Sequence, residues 1–259
     1  MANQTVVPPG GQFQLPASSQ EPLVAFRCSP AFRPYLEEDA QSASIVIDTP
    51  IVYQYIQGAS PISLPSSGSD SSEWDLGTLD VTITIDGQYF AWGEVPLNTT
   101  GYEIPVDLSP LKAQKTGYDV TCSATYQTQQ FSASTTLRYL PDNQGSVIKT
   151  DLRTGILWAR PLDGSSPDFQ PFIPQGFYVS FDNALAKNVT YIDQLKIDGF
   201  NTVGSISPLC CGSTLTFSQI HAIPPYDNAT LFQEVLDKTL ELGLYFIYDL
   251  RSCVLRLSA

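Results

Sequence analysis

The segment from Asp80 to Trp92 is the part of the sequence that most constrains the fold. Val and Ile alternate with Thr over residues 81–85, which is the period of a strand with one buried face. An Asp-Gly dipeptide follows at positions 86 and 87, and an aromatic run comes directly after it. Alternation beside an Asp-Gly pair predicts a β-hairpin with a type I′ turn.

Similar strand patterns recur through the first half of the chain. The further strands are predicted at Leu23–Arg27, Ser44–Asp48, Ile51–Gln57, Tyr102–Asp107, Tyr118–Tyr126 and Gln130–Tyr139. Short strands separated by turn residues predict an antiparallel β-sandwich over residues 1–140. Tyr118 lies four residues before Cys122, whereas a tyrosine corner requires two. The predicted sandwich is therefore immunoglobulin-like (Ig-like) in architecture only.

The pattern changes after residue 141. A connecting segment, 141–171, is predicted to contain a hairpin that turns at Asp151–Gly155. Beyond it come a strand, two helices that end at glycines 199 and 243, and the apolar run Leu244–Tyr248. Such a run is typical of a strand buried on both faces of a parallel sheet. The order β-α-β-α-β predicts an α/β domain over residues 172–259.

One segment, Val203–Gln219, interrupts this order. It has no turn pattern and contains an abrupt Cys-Cys pair. If this segment is left out, the spacing between the two helix-ending glycines is close to the repeat length of an eightfold barrel. We interpret 203–219 as a translated short intron that preserves the reading frame; a genuine surface loop is the alternative. Residues 252–259 carry no cap, turn or helix start, and we interpret them as an aberrant tail.

The charge balance excludes several classes of partner. The chain has 26 acidic and 13 basic side chains, and its net charge is −13. Binding to nucleic acid or to an anionic membrane requires clustered cations, so neither partner is expected. No apolar run approaches the roughly 20 residues that span a bilayer. The N-terminal residues have neither the basic nor the apolar region of a signal peptide, so none is visible.

Four asparagines nevertheless lie in Asn-x-Ser/Thr sequons, which is more than chance placement of Ser and Thr would give. The predicted N-glycosylation sites are Asn3, Asn98, Asn188 and Asn228. This excess favours a secreted, glycosylated protein, and random placement of Thr is the alternative.

The cysteines give only partial support for a secreted protein. Three of the five, Cys210, Cys211 and Cys253, lie in the two doubtful segments. The remaining pair, Cys28 and Cys122, would form one inter-strand disulfide in an oxidising compartment. Two buried free thiols are an equal alternative at this point.

Several segments together resemble one family of proteins. They are Glu21–Leu36, Asp151–Gly155, Gly176–Phe181, Pro225–Asn228 and Gly243–Arg251. In these segments the chain resembles a family of secreted, extracellular fungal proteins that are glycoside-hydrolase-like and have an N-terminal β-sandwich followed by a TIM barrel. The resemblance implies a sandwich followed by the first βαβαβ part of a truncated (β/α)8 TIM barrel, hence an N-terminal fragment.

The resemblance also implies where a sugar would bind. In TIM barrels the reacting groups stand at the C-terminal ends of the strands. The residues so implied for a substrate pocket are Asp182, His221, Tyr226, Asp227, Asp249 and Arg251. Glycoside hydrolysis needs two carboxyl groups, which similar barrels carry on later strands. We therefore expect no catalytic residue in this chain, and no hydrolytic activity from it.

Motifs for metals and cofactors are absent from the sequence. With a single His and no paired Cys spacing, we expect no metal site, and without a glycine-rich phosphate motif we expect no cofactor. Carbohydrate is the expected partner. Two alternatives remain open: a non-catalytic carbohydrate- or cell-wall-binding sandwich that uses Trp74, Tyr89 or Trp92, and a gene-model artefact without a function of its own.

Overall fold

The structure is a computed structural model that describes residues 15–65, 76–142, 147–160, 166–206 and 229–249. The chain divides into two compact units. The first comprises residues 1–142 and 149–155, and the second comprises residues 143–148 and 156–259. The predicted boundaries, 1–140, 141–171 and 172–259, stay predictions.

The first unit consists almost entirely of strands. They are β1 (Ser18–Ala25), β2 (Arg27–Pro30), β3 (Phe32–Arg33), β4 (Tyr35–Leu36), β5 (Ser44–Asp48), β6 (Ile51–Gln54), β7 (Ala59–Pro61), β8 (Thr78–Ile85), β9 (Gln88–Pro96), β10 (Tyr102–Pro105), β11 (Tyr118–Tyr126), β12 (Gln129–Leu137), β13 (Tyr139–Leu140) and β14 (Ile148–Asp151). A 3-10 turn, Glu37–Asp39, follows β4.

Three sheets account for most of these strands. One is antiparallel in the order β12-β11-β8-β9, a second has the order β10-β5-β2, and a third has the order β6-β1-β7. Alternate residues of β8 and β11 are buried, and they share one apolar core with the buried residues of β5. This is the arrangement of a β-sandwich, and the hydrophobic alternation that predicted it stabilises it.

The predicted hairpin at 80–92 is confirmed. Asp86 and Gly87 both have positive φ angles, 47° and 77°, as a type I′ turn requires. The ladder between β8 and β9 shifts register once, because Ile83 pairs with Ala91 whereas Thr84 pairs with Tyr89. Phe90 is therefore an extra residue, a β-bulge, in β9.

The second unit has a short antiparallel pair and a parallel sheet. The elements are β15 (Leu157–Ala159), β16 (Gln170–Phe172), β17 (Gly176–Ser180), a π-helical turn (Phe181–Leu185), α1 (Tyr191–Ile197), β18 (Thr202–Ile206), α2 (Ala229–Glu241) and β19 (Tyr245–Asp249). The parallel sheet has the order β17-β18-β19. Gly176 is required at its start, because a Cβ there would clash with the carbonyl oxygen of Thr202.

A small apolar cluster holds the parallel sheet to its helices. Its buried members are Phe181, Leu185, Ile192, Val203, Val235 and Leu244. The helix-ending role predicted for Gly199 and Gly243 is confirmed, since both have positive φ angles just after a helix. Lys238 of α2 also forms a salt bridge with Asp193 of α1, with 2.9 Å between Nζ and Oδ1.

The predicted fold class, an Ig-like sandwich followed by part of a TIM barrel, is wrong. Strands make up 48% of the structure and lie in small sheets, the helices are short, and the described residues have no TIM-barrel α/β pattern. The apolar run Leu244–Tyr248 predicts a strand buried on both faces, but Ile247 is 38% exposed. A βαβ pattern specifies the parallel pairing of neighbouring strands, and it does not specify closure of a barrel.

The interpreted insertion is only partly within the described residues. Residues 203–206 form most of β18, and Val203 is fully buried in the apolar cluster. Residues 207–219 and the tail 252–259 lie outside the described residues. The intron hypothesis and the aberrant tail stay predictions.

Candidate functional site

The predicted substrate pocket falls almost wholly outside the described residues. His221, Tyr226, Asp227 and Arg251 lie outside them, as do Asn3, Asn228 and Trp74. The backbone of Asp182 lies in the π-helical turn and that of Asp249 ends β19, but their side chains are not described. The described residues therefore do not test whether the six predicted pocket residues lie together, and the pocket stays a prediction.

A different arrangement of side chains lies on β9. Tyr89 and Trp92 are three residues apart, so a regular strand would put them on opposite faces of the sheet. The bulge at Phe90 removes this conflict: Tyr89 pairs with Thr84, and Trp92 pairs with Thr82. Both aromatic side chains thus lie on the outer face of the four-stranded sheet.

Both rings are open to solvent. Tyr89 is 67% exposed and Trp92 is 52% exposed. Thr82 and Thr84, their partners on β8, are two residues apart, which puts the pairs about 7 Å apart along the strands. The two aromatic residues therefore lie near each other on one face of an edge strand.

Hydroxyl groups continue from each ring across the sheet. We call the two rows, with their aromatic residues, the aromatic–hydroxyl face. Its first row is Trp92, Thr82, Ser123 and Ser132, and its second row is Tyr89, Thr84, Thr121 and Ser134. Of the four members of these rows that lie on β11 and β12, Ser123, Ser132 and Ser134 are exposed.

The aromatic–hydroxyl face rests on a rigid support. The opposite side chains of β8, Val81, Ile83 and Ile85, are buried in the sandwich core. The half-buried side chain of Phe90 packs against the same core. The Thr84 hydroxyl donates a hydrogen bond of 3.2 Å to the carbonyl oxygen of Thr121. The face is therefore held by strands rather than by loops, which favours a preformed binding surface.

Carboxylates flank the face at both ends. Asp80 pairs directly with Glu94 in the row beyond Trp92, and both are exposed. At the hairpin end, Asp86 accepts a hydrogen bond of 2.9 Å from the backbone N–H of Asp119. These carboxylates, together with the net charge of −13, favour a neutral or cationic ligand over an anionic one.

A second cluster of charged groups surrounds Arg153, inside the Asp151–Gly155 motif. Arg153 donates to Oδ1 of Asp151 at 2.8 Å and to Oδ2 at 3.0 Å. It also donates to Glu103 at 2.7 Å, and Glu103 accepts from the Ser44 hydroxyl at 2.6 Å. The Arg153 guanidinium lies 4.8 Å from the centroid of Phe32. Because these groups are paired with one another, the cluster stabilises the first unit.

A third charged group is almost completely buried. The Lys149 ammonium donates to both carboxylate oxygens of Asp39, at 2.8 and 2.7 Å, and its side chain is 6% exposed. The same Asp39 carboxylate accepts from the backbone N–H of Leu36 at 2.7 Å. This ion pair ties β14 to the turn that follows β4.

The displaced pKa values do not mark a catalytic acid in the described part of the chain. A hydrogen bond from Ser44 lowers the pKa of Glu103, one from Arg153 lowers that of Asp151, and one from Ser109 lowers that of Asp107. A glycosidase needs one carboxyl group with a raised pKa. Each of these three carboxyl groups is displaced in the opposite direction.

Two of the predicted N-glycosylation sites lie within the described residues. Asn98 is exposed in a turn with φ of 60°, and its Oδ1 accepts from the backbone N–H of Ile51 at 3.1 Å. Asn188 is also exposed, and its Oδ1 accepts from both the backbone N–H and the hydroxyl of Thr190, at 3.0 and 2.7 Å. Both sites are accessible for modification, which itself stays a prediction.

Metal-binding clusters and membrane-spanning helices are both absent from the described part of the chain. No group of three or more His, Cys, Asp or Glu side chains is placed to hold a metal ion within these ranges. None of the helices in the described ranges is long and apolar enough to cross a membrane.

Sequence reasoning named Tyr89 and Trp92 but missed the surface that they share. The alternation of a regular strand would put these two side chains on opposite faces, so the sequence does not predict a shared surface. The signal for the bulge is weak: an extra residue in the ladder leaves no composition pattern of its own. The hydroxyl rows were also missed, since they depend on the register of β8, β11 and β12.

Comparisons with known proteins give distant likenesses only. No family model and no curated protein matches this chain. A β-glucuronidase of Parabacteroides merdae matches in structure at a TM-score of 0.29 and 11% identity, covering 86% of this chain and 23% of that one. β-Glucuronidase 3 of Bacteroides uniformis matches at 0.25 and 11%, covering 88% and 22%. A β-D-glucuronidase of Dictyoglomus thermophilum matches at 0.23 and 11%, covering 89% and 29%.

These neighbours are bacterial glycoside hydrolases, and this chain spans less than a third of the length of each. They do not support the fungal family to which the motifs bear a resemblance. At TM-scores below 0.5 the likeness carries no argument about this chain's chemistry, which rests on its own side chains.

Proposed function

We propose that the first unit is a carbohydrate-binding module and that the aromatic–hydroxyl face is its binding surface. The single observation that carries this proposal is the shared outer face of Tyr89 and Trp92, which the bulge at Phe90 creates. Large exposed aromatic side chains side by side on a soluble protein are typical of a binding site.

The chemistry of the face fits a sugar chain. One side of a pyranose ring presents C–H groups, which pack against the flat face of an aromatic ring, while hydroxyl groups project from the ring edge. Tyr89 and Trp92 supply the apolar contact, and the adjoining Thr and Ser rows supply donors and acceptors for the hydroxyl groups. The spacing of about 7 Å between the two aromatic pairs suits two neighbouring sugars of one chain.

The charge of the surroundings selects among glycans. Exposed Asp80, Glu94, Asp86 and Asp119 border the face, so a glycan rich in uronic acid or sulfate would be repelled. A neutral glycan would instead gain hydrogen-bond acceptors for its hydroxyl groups. We therefore propose a neutral, linear oligosaccharide as the ligand class.

The resemblance in sequence motifs supports a wider role for this module within a glycoside-hydrolase-like, extracellular protein. In such a protein the face would hold a polysaccharide near a catalytic centre. The lowered pKa values of Glu103, Asp151 and Asp107 are the opposite of what a general acid of a glycosidase needs.

Isothermal titration calorimetry on the full chain tests the proposal. The titrants are cellohexaose, laminarihexaose and xylohexaose, with a hyaluronan hexasaccharide as the anionic comparison. We expect saturable binding of at least one neutral glycan and none of hyaluronan. Tyr89→Ala or Trp92→Ala should weaken binding at least about tenfold, which corresponds to about 1.4 kcal/mol.

A matched control uses an exposed tyrosine elsewhere on the first unit. Tyr53 of β6 is 50% exposed and does not lie on the aromatic–hydroxyl face. Tyr53→Ala should bind like the original chain. Equal loss in all three variants, or preferential binding of hyaluronan, would contradict the proposed site.

A further inference from the structure

Two cysteines lie in one core cluster, where two sheets of the first unit approach each other. Cys28 lies on β2 and Cys122 lies on β11, in separate sheets. The Cys28 thiol donates to the carbonyl oxygen of Ala133 at 3.7 Å, and Ala133 is the residue that pairs directly with Cys122. The half-buried Cys28 also packs against the apolar core cluster to which Cys122 belongs, and both thiols are free.

We propose that this thiol pair is a redox modification site, at which a disulfide between Cys28 and Cys122 joins the two sheets of the sandwich. The proposal goes beyond carbohydrate binding, because neither cysteine lies on the aromatic–hydroxyl face. Cys122 is fully buried and Cys28 is half-buried, so the bond would form at the margin of the core.

The two thiols have different parts in the reaction. The half-buried Cys28 is the thiol that reaches an external disulfide, such as oxidised glutathione. Its thiolate attacks one glutathione sulfur, the glutathione S–S bond breaks, and reduced glutathione leaves. Cys122 then loses its proton to water, attacks the Cys28 sulfur of the mixed disulfide and releases a second glutathione. Two protein thiols are thereby oxidised, and one glutathione disulfide is reduced.

Burial makes the second step slow in the folded protein. The hydrogen bond with Cys28, followed by desolvation, raises the pKa of the Cys122 thiol. A thiol that stays protonated is a poor nucleophile, so the bond should form faster during refolding than in the folded state. Once formed, the bond encloses a long loop that contains most of the first unit, and long loops give the larger stabilisation.

The test uses the full chain with Cys210, Cys211 and Cys253 replaced by Ser, so that only the proposed pair remains. The chain is refolded with reduced and oxidised glutathione, its free thiols are alkylated under denaturing conditions, and its disulfides are mapped by mass spectrometry. We expect a single linked peptide pair containing Cys28 and Cys122. The melting temperature should exceed that of the reduced sample by roughly 5–15 °C.

A matched variant separates the bond from general effects of the redox buffer. With Cys28→Ser added, Cys122 should be alkylated in every buffer, and oxidation should leave the melting temperature unchanged. The chain with all five cysteines is mapped in parallel, which covers the case that the Ser background does not fold. Full alkylation of both thiols after oxidative refolding, or pairing of either with another cysteine, would overturn the proposal.

Discussion

Asp80 and Glu94 face each other directly across β8 and β9, in the row next to Trp92. Residues paired in this way have Cβ atoms about 5 Å apart, and like charges at that distance destabilise a sheet. The two negative charges also make this end of the aromatic–hydroxyl face strongly negative.

We therefore expect Glu94→Lys to have two effects. The free energy of unfolding should rise by roughly 0.2–1 kcal/mol at low salt, because an attractive pair replaces a repulsive one. The variant should also begin to bind hyaluronan oligosaccharide. Urea denaturation and calorimetry measure the two effects, with the exposed Glu21→Lys of β1 as the control for net charge. A stabilisation that persists at high salt would contradict this electrostatic explanation.

The buried ion pair of Lys149 and Asp39 gives a prediction about stability. Lys149→Met should lower the free energy of unfolding by about 2–4 kcal/mol, because the Asp39 carboxylate would lose its cation in a partly buried position. Denaturation in urea checks this value. The exposed Lys112 provides the matched control, and Lys112→Met should change stability by less than about 0.5 kcal/mol. Equal effects of the two substitutions would exclude a specific role for the ion pair.

The carboxyl groups around Arg153 give the chain a predicted acid sensitivity. Glu103 and Asp151 have lowered pKa values in the folded state, whereas unfolded Glu and Asp titrate at about 4.3 and 3.9. The unfolded chain thus binds protons first as the pH falls. The stability that these groups contribute is complete above about pH 5 and is lost as the pH falls through their folded pKa values.

Thermal unfolding between neutral pH and about pH 2 measures this dependence. Glu103→Gln removes one of the titrating groups, so the melting temperature of that variant should fall less steeply with decreasing pH. The unfolding of both proteins is followed by circular dichroism in the same buffers. Parallel curves for the variant and the original chain would show that Glu103 does not contribute to acid unfolding.

The predicted glycosylation is tested in a eukaryotic secretion host, with a signal peptide fused to the chain. We expect N-glycans at Asn98 and Asn188, removable by an N-glycosidase, because both side chains are exposed. Asn98 also accepts a hydrogen bond from Ile51, so its sequon is best removed by Thr100→Ala. That variant and Asn188→Gln should each lose one glycan in mass spectrometry. A fully unglycosylated secreted chain would contradict the predicted glycosylation of both sites.

The hairpin at 80–92 could be predicted because local residues determine it. The Val, Ile and Thr alternation fixes the buried face, and the Asp-Gly pair fixes the turn. The bulge at Phe90 could not be predicted, since it depends on how the half-buried ring fits the core. The aromatic–hydroxyl face therefore required the register of the folded sheet.

Long-range partners were also beyond the sequence. The Asp151–Gly155 segment was identified as a motif, but Glu103 and Ser44, which complete the Arg153 cluster, lie far from it in the chain. In the second unit, the apolar residues of β19 predicted a strand correctly but not its exposed face. Sequence alternation reports the average environment of a strand and cannot report how many strands follow or whether they close.

The proposed binding surface depends most on Trp92, and the NMR signal of the Trp92 indole N–H tests its contact with the ligand directly. The chain contains three tryptophans, whose indole signals are assigned with Trp74→Phe, Trp92→Phe and Trp158→Phe. During titration with the neutral hexasaccharide that binds in calorimetry, the Trp92 signal should shift progressively and saturate with the same affinity, while the Trp158 signal stays in place. A saturating titration in which Trp92 does not move would contradict the proposed binding surface.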